Sequence, residues 1–100
     1  MKKSFFTSVL LCLLISIAHA QYSRNVLFLG NSYTAVNNLP QMVANIATST
    51  GDTLIFDSNT PGGYTFQNHV NTAQSINKIM NGNWDYVVLQ EQSQLTSFPM

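Results

Sequence analysis

Residues 30–32, Gly-Asn-Ser, follow four apolar residues, VLFL, at 26–29. A short unbroken apolar run suits a strand covered on both faces. Gly30 permits a sharp exit from such a strand. Ser32 then projects at the rim of a sheet, where backbone N–H groups can face a developing oxyanion. That is a place for a nucleophile in acyl transfer, provided a base takes the hydroxyl proton. Taken alone, the three residues are better explained as a turn serine or a helix N-cap.

The elements that must position Ser32 can be read on either side of it. Residues 30–38 form a loop, and Pro40 fits the first turn of a helix with Asn38 or Leu39 before it. Leu39, Met42, Val43, Ile46, Ala47 and Thr50 recur at helical spacing, and Gly51 is a helix stop. TLIFDS at 53–58 reads as a second strand and NTPGGYT at 59–65 as a glycine loop. Phe66, Val70, Ala73, Ile76 and Met80 form the stripe of one second helix, closed by Gly82. Residues 86–89 make a third strand, followed by QEQSQ at 90–94.

The order βαβαβ predicts an α/β fold with a parallel sheet and right-handed crossovers: an incomplete flavodoxin-like three-layer α/β/α arrangement. Ligands of open sheets bind beyond the carboxyl ends of the strands. Three loops leave those ends, at 30–37, 59–65 and 90–96, each with polar or glycine residues, and their convergence is a site expectation. Any one of them is explained equally by turn formation.

Lys2 and Lys3, the apolar run FFTSVLLCLLISIA and the small residues of AHA at 18–20 form a secretory signal peptide, with Gln21 as the expected mature start. The alternative is an N-terminal anchor helix, for which the run is short. The division is therefore 1–20, signal, and 21–100, domain, with export to the periplasm or beyond. Cys12 leaves with the signal, so no disulfide framework is expected. Two basic residues, Arg24 and Lys78, then stand against Asp52, Asp57, Asp85 and Glu91, which gives nothing that steers toward nucleic acid or an acidic membrane. No stable membrane span is expected after signal cleavage. No metal cluster is visible and no nucleotide motif: residues 30–38 lack dinucleotide glycine spacing and a P-loop lysine. No cofactor is expected.

VLFLGNSYT resembles the first block of the SGNH (GDSL-like) hydrolase superfamily, in which a strand ends in Gly-Asp-Ser or Gly-Asn-Ser. TPGGYTF resembles the second block, and WDYVVLQEQSQ lies at the third. The chain looks most like a bacterial exported subgroup, and the likeness covers residues 26–94. It implies Ser32 as nucleophile and its own N–H as one oxyanion donor. It implies Gly63 as a second donor, with Gly62 as the alternative. Most of the superfamily has Gly-x-Asn-Asp in the third block. The stretch here is Gln90, Glu91, Gln92, Ser93, Gln94, so a glutamine amide takes the asparagine's place: Gln90 first, Gln92 second. Asn31, where aspartate is commoner, either braces the loop or forms the turn.

The superfamily's base is a histidine in a later Asp-x-x-His, and residues 95–100 contain nothing like it. His19 belongs to the signal, and His69 is expected as a partly exposed helix residue rather than the base. The expectation is thus the N-terminal part of a serine esterase acting on an ester, such as an O-acetyl group of a carbohydrate, without its base. Two alternatives remain: a non-catalytic carbohydrate-binding module using the same Asn, Gln and Tyr33/Tyr64 rim, and a non-functional truncated remnant.

Overall fold

The computed structural model describes residues 21–97. The expected signal peptide, with Cys12 and His19, lies outside them. Strand β1 spans Ser23–Leu29, β2 Thr53–Asn59 and β3 Tyr86–Leu89. Helix α1 is Ser32–Ala35, α2 Leu39–Ser49, α3 Phe66–Val70 and α4 Ala73–Asn81. Short 3-10 turns cover Val36–Asn38 and Leu95–Ser97.

The three strands make one parallel sheet in the order β2-β1-β3. The chain is therefore α/β, as its alternation predicts, with the apolar run 26–29 in the central strand. Val26, Leu27, Phe28 and Leu29 are all buried, and Leu27 is wholly so. The sheet first grows from β1 toward β2, then crosses back to β3. Right-handed crossovers in these two directions put α2 on one face and the α3–α4 pair on the other. Phe28 and Phe56 meet edge to face on the α2 side, ring centres 6.3 Å apart.

Helix α2 keeps the expected limits. Pro40 sits in its first turn, where the missing N–H is no loss. At its other end Gly51, at φ 86°, donates to Thr48 O, and Asp52 donates to Ala47 O. Only glycine takes that left-handed conformation without steric cost, and the two bonds satisfy carbonyls the helix leaves over.

Two expectations are corrected. The single second helix is two helices, broken at Asn71–Thr72, where Thr72 is extended (φ −109°, ψ 118°). The apolar stripe runs across the break, so periodicity alone cannot reveal it. The second correction concerns His69, which is 5% exposed rather than surface-lying. The loop at 30–38 also contains α1, with Asn31 as its N-cap and Ser32 as its first residue. The capping residue is thus the asparagine and not the serine.

Candidate active site

All three loops that leave the carboxyl ends of the strands are tied to one another by hydrogen bonds. Gly30 begins the first. A Cβ at this position would lie 2.5 Å from Gln90 Oε1 and 2.6 Å from Thr34 Oγ1, so no larger residue fits without displacing them. Gly30 N–H donates to Asn59 O at 3.2 Å, joining the ends of β1 and β2.

Asn31 is 2% exposed and bonds in three directions. Its Oδ1 accepts from Tyr33 N at 3.1 Å, capping α1. Its Nδ2 donates to Tyr64 O at 3.0 Å, in the glycine loop. Its backbone N–H donates to Gln90 Oε1 at 2.9 Å, in the third loop. The same Gln90 oxygen accepts from Thr34 Oγ1 at 2.9 Å, and Gln90 Nε2 donates to Glu91 O at 2.6 Å. The acceptor role toward a backbone N–H identifies which end of the amide is oxygen. Gln90 is thereby a tie between loops.

Glu91 closes the third side. Its Oε1 accepts from Phe66 N at 3.0 Å, at the start of α3, and from Gln92 N at 2.8 Å. Thr65 and Asn68 complete the start of α3 with a reciprocal capping box. Gln92 Oε1 accepts from Gln94 N and Leu95 N, which shapes the turn after it. Among the described residues, no hydrogen bond uses Gln92 Nε2.

Ser32 stands apart from this network. It is exposed, and among the described residues no hydrogen bond uses its hydroxyl or its N–H. Gly62 and Gly63 are exposed too, Gly63 has φ 74°, and no hydrogen bond among the described residues uses the Gly63 N–H. The structure thus brings the loops of Ser32, Gly63 and Gln92 to one rim. It places Asn31 and Gln90 beneath as supports. Tyr33, beside Ser32, is 62% exposed, whereas Tyr64 is half-buried and its hydroxyl lies 3.2 Å from Thr72 Oγ1.

His69 is the histidine of the described residues, and both its ring nitrogens are engaged below the rim, Nδ1 with Ser75 Oγ and Nε2 with Gly30 O. Neither faces the exposed hydroxyl. Sequence reasoning missed this role because the helix stripe names apolar positions only. A signal was present in the pairing of His69 with Ser75, one turn and a break apart, but no local rule reads it.

Two further concavities flank the sheet, the first on the side of α4 and the second directly beneath the rim. One, about 700 Å³, is lined by Asp57, Asn77, Lys78 and Trp84. Lys78 Nζ donates to Asp57 Oδ2 at 2.6 Å, and this bond holds the Asp57 carboxyl below its ordinary range. Trp84 Nε1 donates to Lys78 O, closing the end of α4. A second, about 320 Å³ and almost wholly apolar, lies between α3, α4 and the β1–β3 pair, among Leu29, Phe66, Val70, Ile76 and Leu89. No group of His, Cys, Asp and Glu with metal-site spacing occurs among the described residues, and none of their helices is long and apolar enough to cross a membrane.

Comparison with protein-family models, with curated proteins and with solved structures gave no match for this chain.

Proposed function

We propose that the chain carries the nucleophile and oxyanion half of an SGNH-type serine esterase that is exported and acts on an ester, with an O-acetylated carbohydrate as the substrate class. The observation that supports this most is a contrast within one loop. Asn31 and Gly30 are pinned on every side, while the next residue, Ser32, leaves its hydroxyl and N–H open to solvent. A residue that served only to turn the chain or cap a helix would be spending its polar groups on the protein. Asn31 does that work here.

In this reading Ser32 Oγ attacks the acyl carbonyl carbon while a base removes its proton. The N–H groups of Ser32 and Gly63 and the Gln92 amide hold the oxyanion that forms. Gln92 takes precedence over Gln90 because no hydrogen bond among the described residues uses Gln92 Nε2, whereas Gln90 Nε2 already donates to Glu91 O. The alcohol leaves with the proton from the base, and water then releases the acid from the acyl-serine. His69 has both nitrogens bonded away from Ser32 and is not that base; the family resemblance assigns the role to a histidine of an Asp-x-x-His, which residues 21–97 do not contain. The acetyl-sugar substrate rests on the family resemblance and the expected export, and on no single residue.

The test is hydrolysis of p-nitrophenyl acetate by the full-length natural protein. Ser32→Ala should lower turnover by about three orders of magnitude or more and leave unfolding cooperative. Unchanged turnover would defeat the serine as nucleophile. A second reading, a sugar-binding module, draws on the exposed Tyr33 ring at the rim. It predicts saccharide binding without turnover in the same protein.

A further inference from the structure

Beneath the rim runs a chain of three buried side chains that the proposed acyl transfer does not use. Asn59 ends β2, Ser75 lies in α4 and His69 in α3; they are 8%, 0% and 5% exposed. Asn59 Nδ2 donates to Ser75 Oγ at 2.8 Å. Ser75 Oγ lies 2.7 Å from His69 Nδ1, and His69 Nε2 lies 2.8 Å from Gly30 O.

The direction of this chain follows from its two ends. An amide nitrogen only donates and a carbonyl oxygen only accepts. The imidazole proton is therefore assigned to Nε2, pointing at Gly30 O. Nδ1 is left to accept the Ser75 hydroxyl proton, and Ser75 Oγ accepts from Asn59. Each bond of the chain then pairs one donor with one acceptor, and the Asn59 backbone O in turn accepts from Gly30 N–H, which closes a ring through the glycine. The Tyr64 ring packs edge to face on the imidazole at 5.0 Å and fixes its plane.

Such a chain needs a reason, because burying polar groups costs free energy unless every bond is made. An aliphatic residue at 69 would suit the neighbouring Leu29, Phe66 and Val70 at no such cost. The reason lies in one peptide unit. Gly30 C=O and Asn31 N–H belong to the same planar group. The first is held by His69 Nε2 and the second by Gln90 Oε1. Glycine otherwise gives the chain its widest choice of rotation at this point, and Ser32 is the next residue but one.

We propose that His69 is a positioning residue that, opposite Gln90, clamps the Gly30–Asn31 peptide plane and so fixes the direction in which Ser32 leaves the sheet. This rests on the reading of Ser32 as nucleophile. The clamp acts on Ser32 through the backbone and touches no substrate.

The experiment compares the full-length natural protein with His69→Leu and His69→Gln, whose amide N–H can still reach Gly30 O. Each is titrated with a fluorophosphonate probe, reading the maximal rate of Ser32 modification separately from the probe concentration at half-maximum, with thermal unfolding alongside. His69→Leu should slow the maximal rate by about ten- to a hundredfold and leave the half-maximal concentration unchanged. His69→Gln should recover most of the rate. A folded His69→Leu with the wild-type rate, or a folded His69→Gln as slow as His69→Leu, would overturn the proposal.

Ser75→Ala serves if the position-69 variants fail to fold. Nitrogen NMR of the ring in the wild type should show one tautomer with a slowly exchanging Nε2 proton. Ser75→Ala should mix the tautomers and move the Asn31 amide resonance; a ring and an Asn31 amide unchanged in this variant would overturn the clamp. If wild-type Ser32 is not modified by the probe, the nucleophile reading fails and takes the catalytic role of His69 with it. The ring spectra still decide separately whether the clamp exists.

Discussion

Strands β1 and β3 lie side by side in register, Val26 opposite Tyr86 through Leu29 opposite Leu89, and both are apolar. Their surroundings could hardly differ more. The four β1 residues are at most 4% exposed, while those of β3 are 41–61% exposed. The difference is one of place and not of composition. β1 has a strand on each side and a helical layer on each face. β3 has one neighbour and an open outer edge among the described residues. Apolar character states what a strand would gain from cover, and the order of strands decides whether it receives it. The rim follows the same division. Where β1 ends, Gly30 and Asn31 are pinned from two other loops, and the exposed Ser32 that follows keeps its hydroxyl and N–H out of the hydrogen bonds among the described residues.

The sharpest way to break this comparison is to truncate both strands. Leu27→Ala should cost about 2–5 kcal/mol, since the side chain is wholly enclosed. Val88→Ala, in β3 opposite Phe28, should cost less than about 1 kcal/mol in the described surroundings. Denaturant unfolding of the full-length protein measures both. A large loss at Val88 would show that further chain or a partner covers β3, which would sharpen the contrast into a statement about what lies beyond residue 97.

A smaller loss is expected at Gly30. Gly30→Ala puts a methyl group against Gln90 Oε1 and Thr34 Oγ1 and should cost about 1–3 kcal/mol. It should also loosen the tie between the first and third loops, which the Asn31 amide resonance would register. A variant as stable as the parent would mean that the Gln90 side chain is not held as described.

The smallest effect belongs to the far side of the sheet. The hydrogen bond from Lys78 lowers the Asp57 carboxyl from its ordinary range. A lowered folded-state value stabilises the fold above the unfolded carboxylate range and loses that contribution as pH falls through the folded-state value. The Asp57 side chain is 45% exposed, so solvent screening keeps the pair to no more than about 0.5 kcal/mol. Asp57→Asn should therefore flatten the acid limb of the stability profile slightly and leave neutral stability almost unchanged. Unfolding measured across acidic pH checks this.

Much of the scaffold was legible because its signals are local. The run 26–29 marks the central strand, and Pro40 and Gly51 bracket α2. The glycine and amide-rich stretches mark the loops at the strand ends. What escaped was set by long-range bonds. The split between α3 and α4 occurs at Asn71–Thr72, in the middle of an unbroken apolar stripe. His69 is buried because Gly30 O, thirty-nine residues earlier, needs a donor. Gln90 resembles an oxyanion donor by its place in the chain, and the tie that its oxygen makes to Asn31 and Thr34 in the first loop could not be read from that place. In each case the residue type was visible and its partner was not.

The central claim is that the open serine beyond β1 is a nucleophile. Its most direct test is to mix the full-length natural protein with p-nitrophenyl acetate, quench early in acid and map the modified peptides by mass spectrometry. One added acetyl group on Ser32, absent in Ser32→Ala, is the predicted result. Hydrolysis that proceeds at the wild-type rate in Ser32→Ala, with no acetyl group found on Ser32 of the parent, would contradict it.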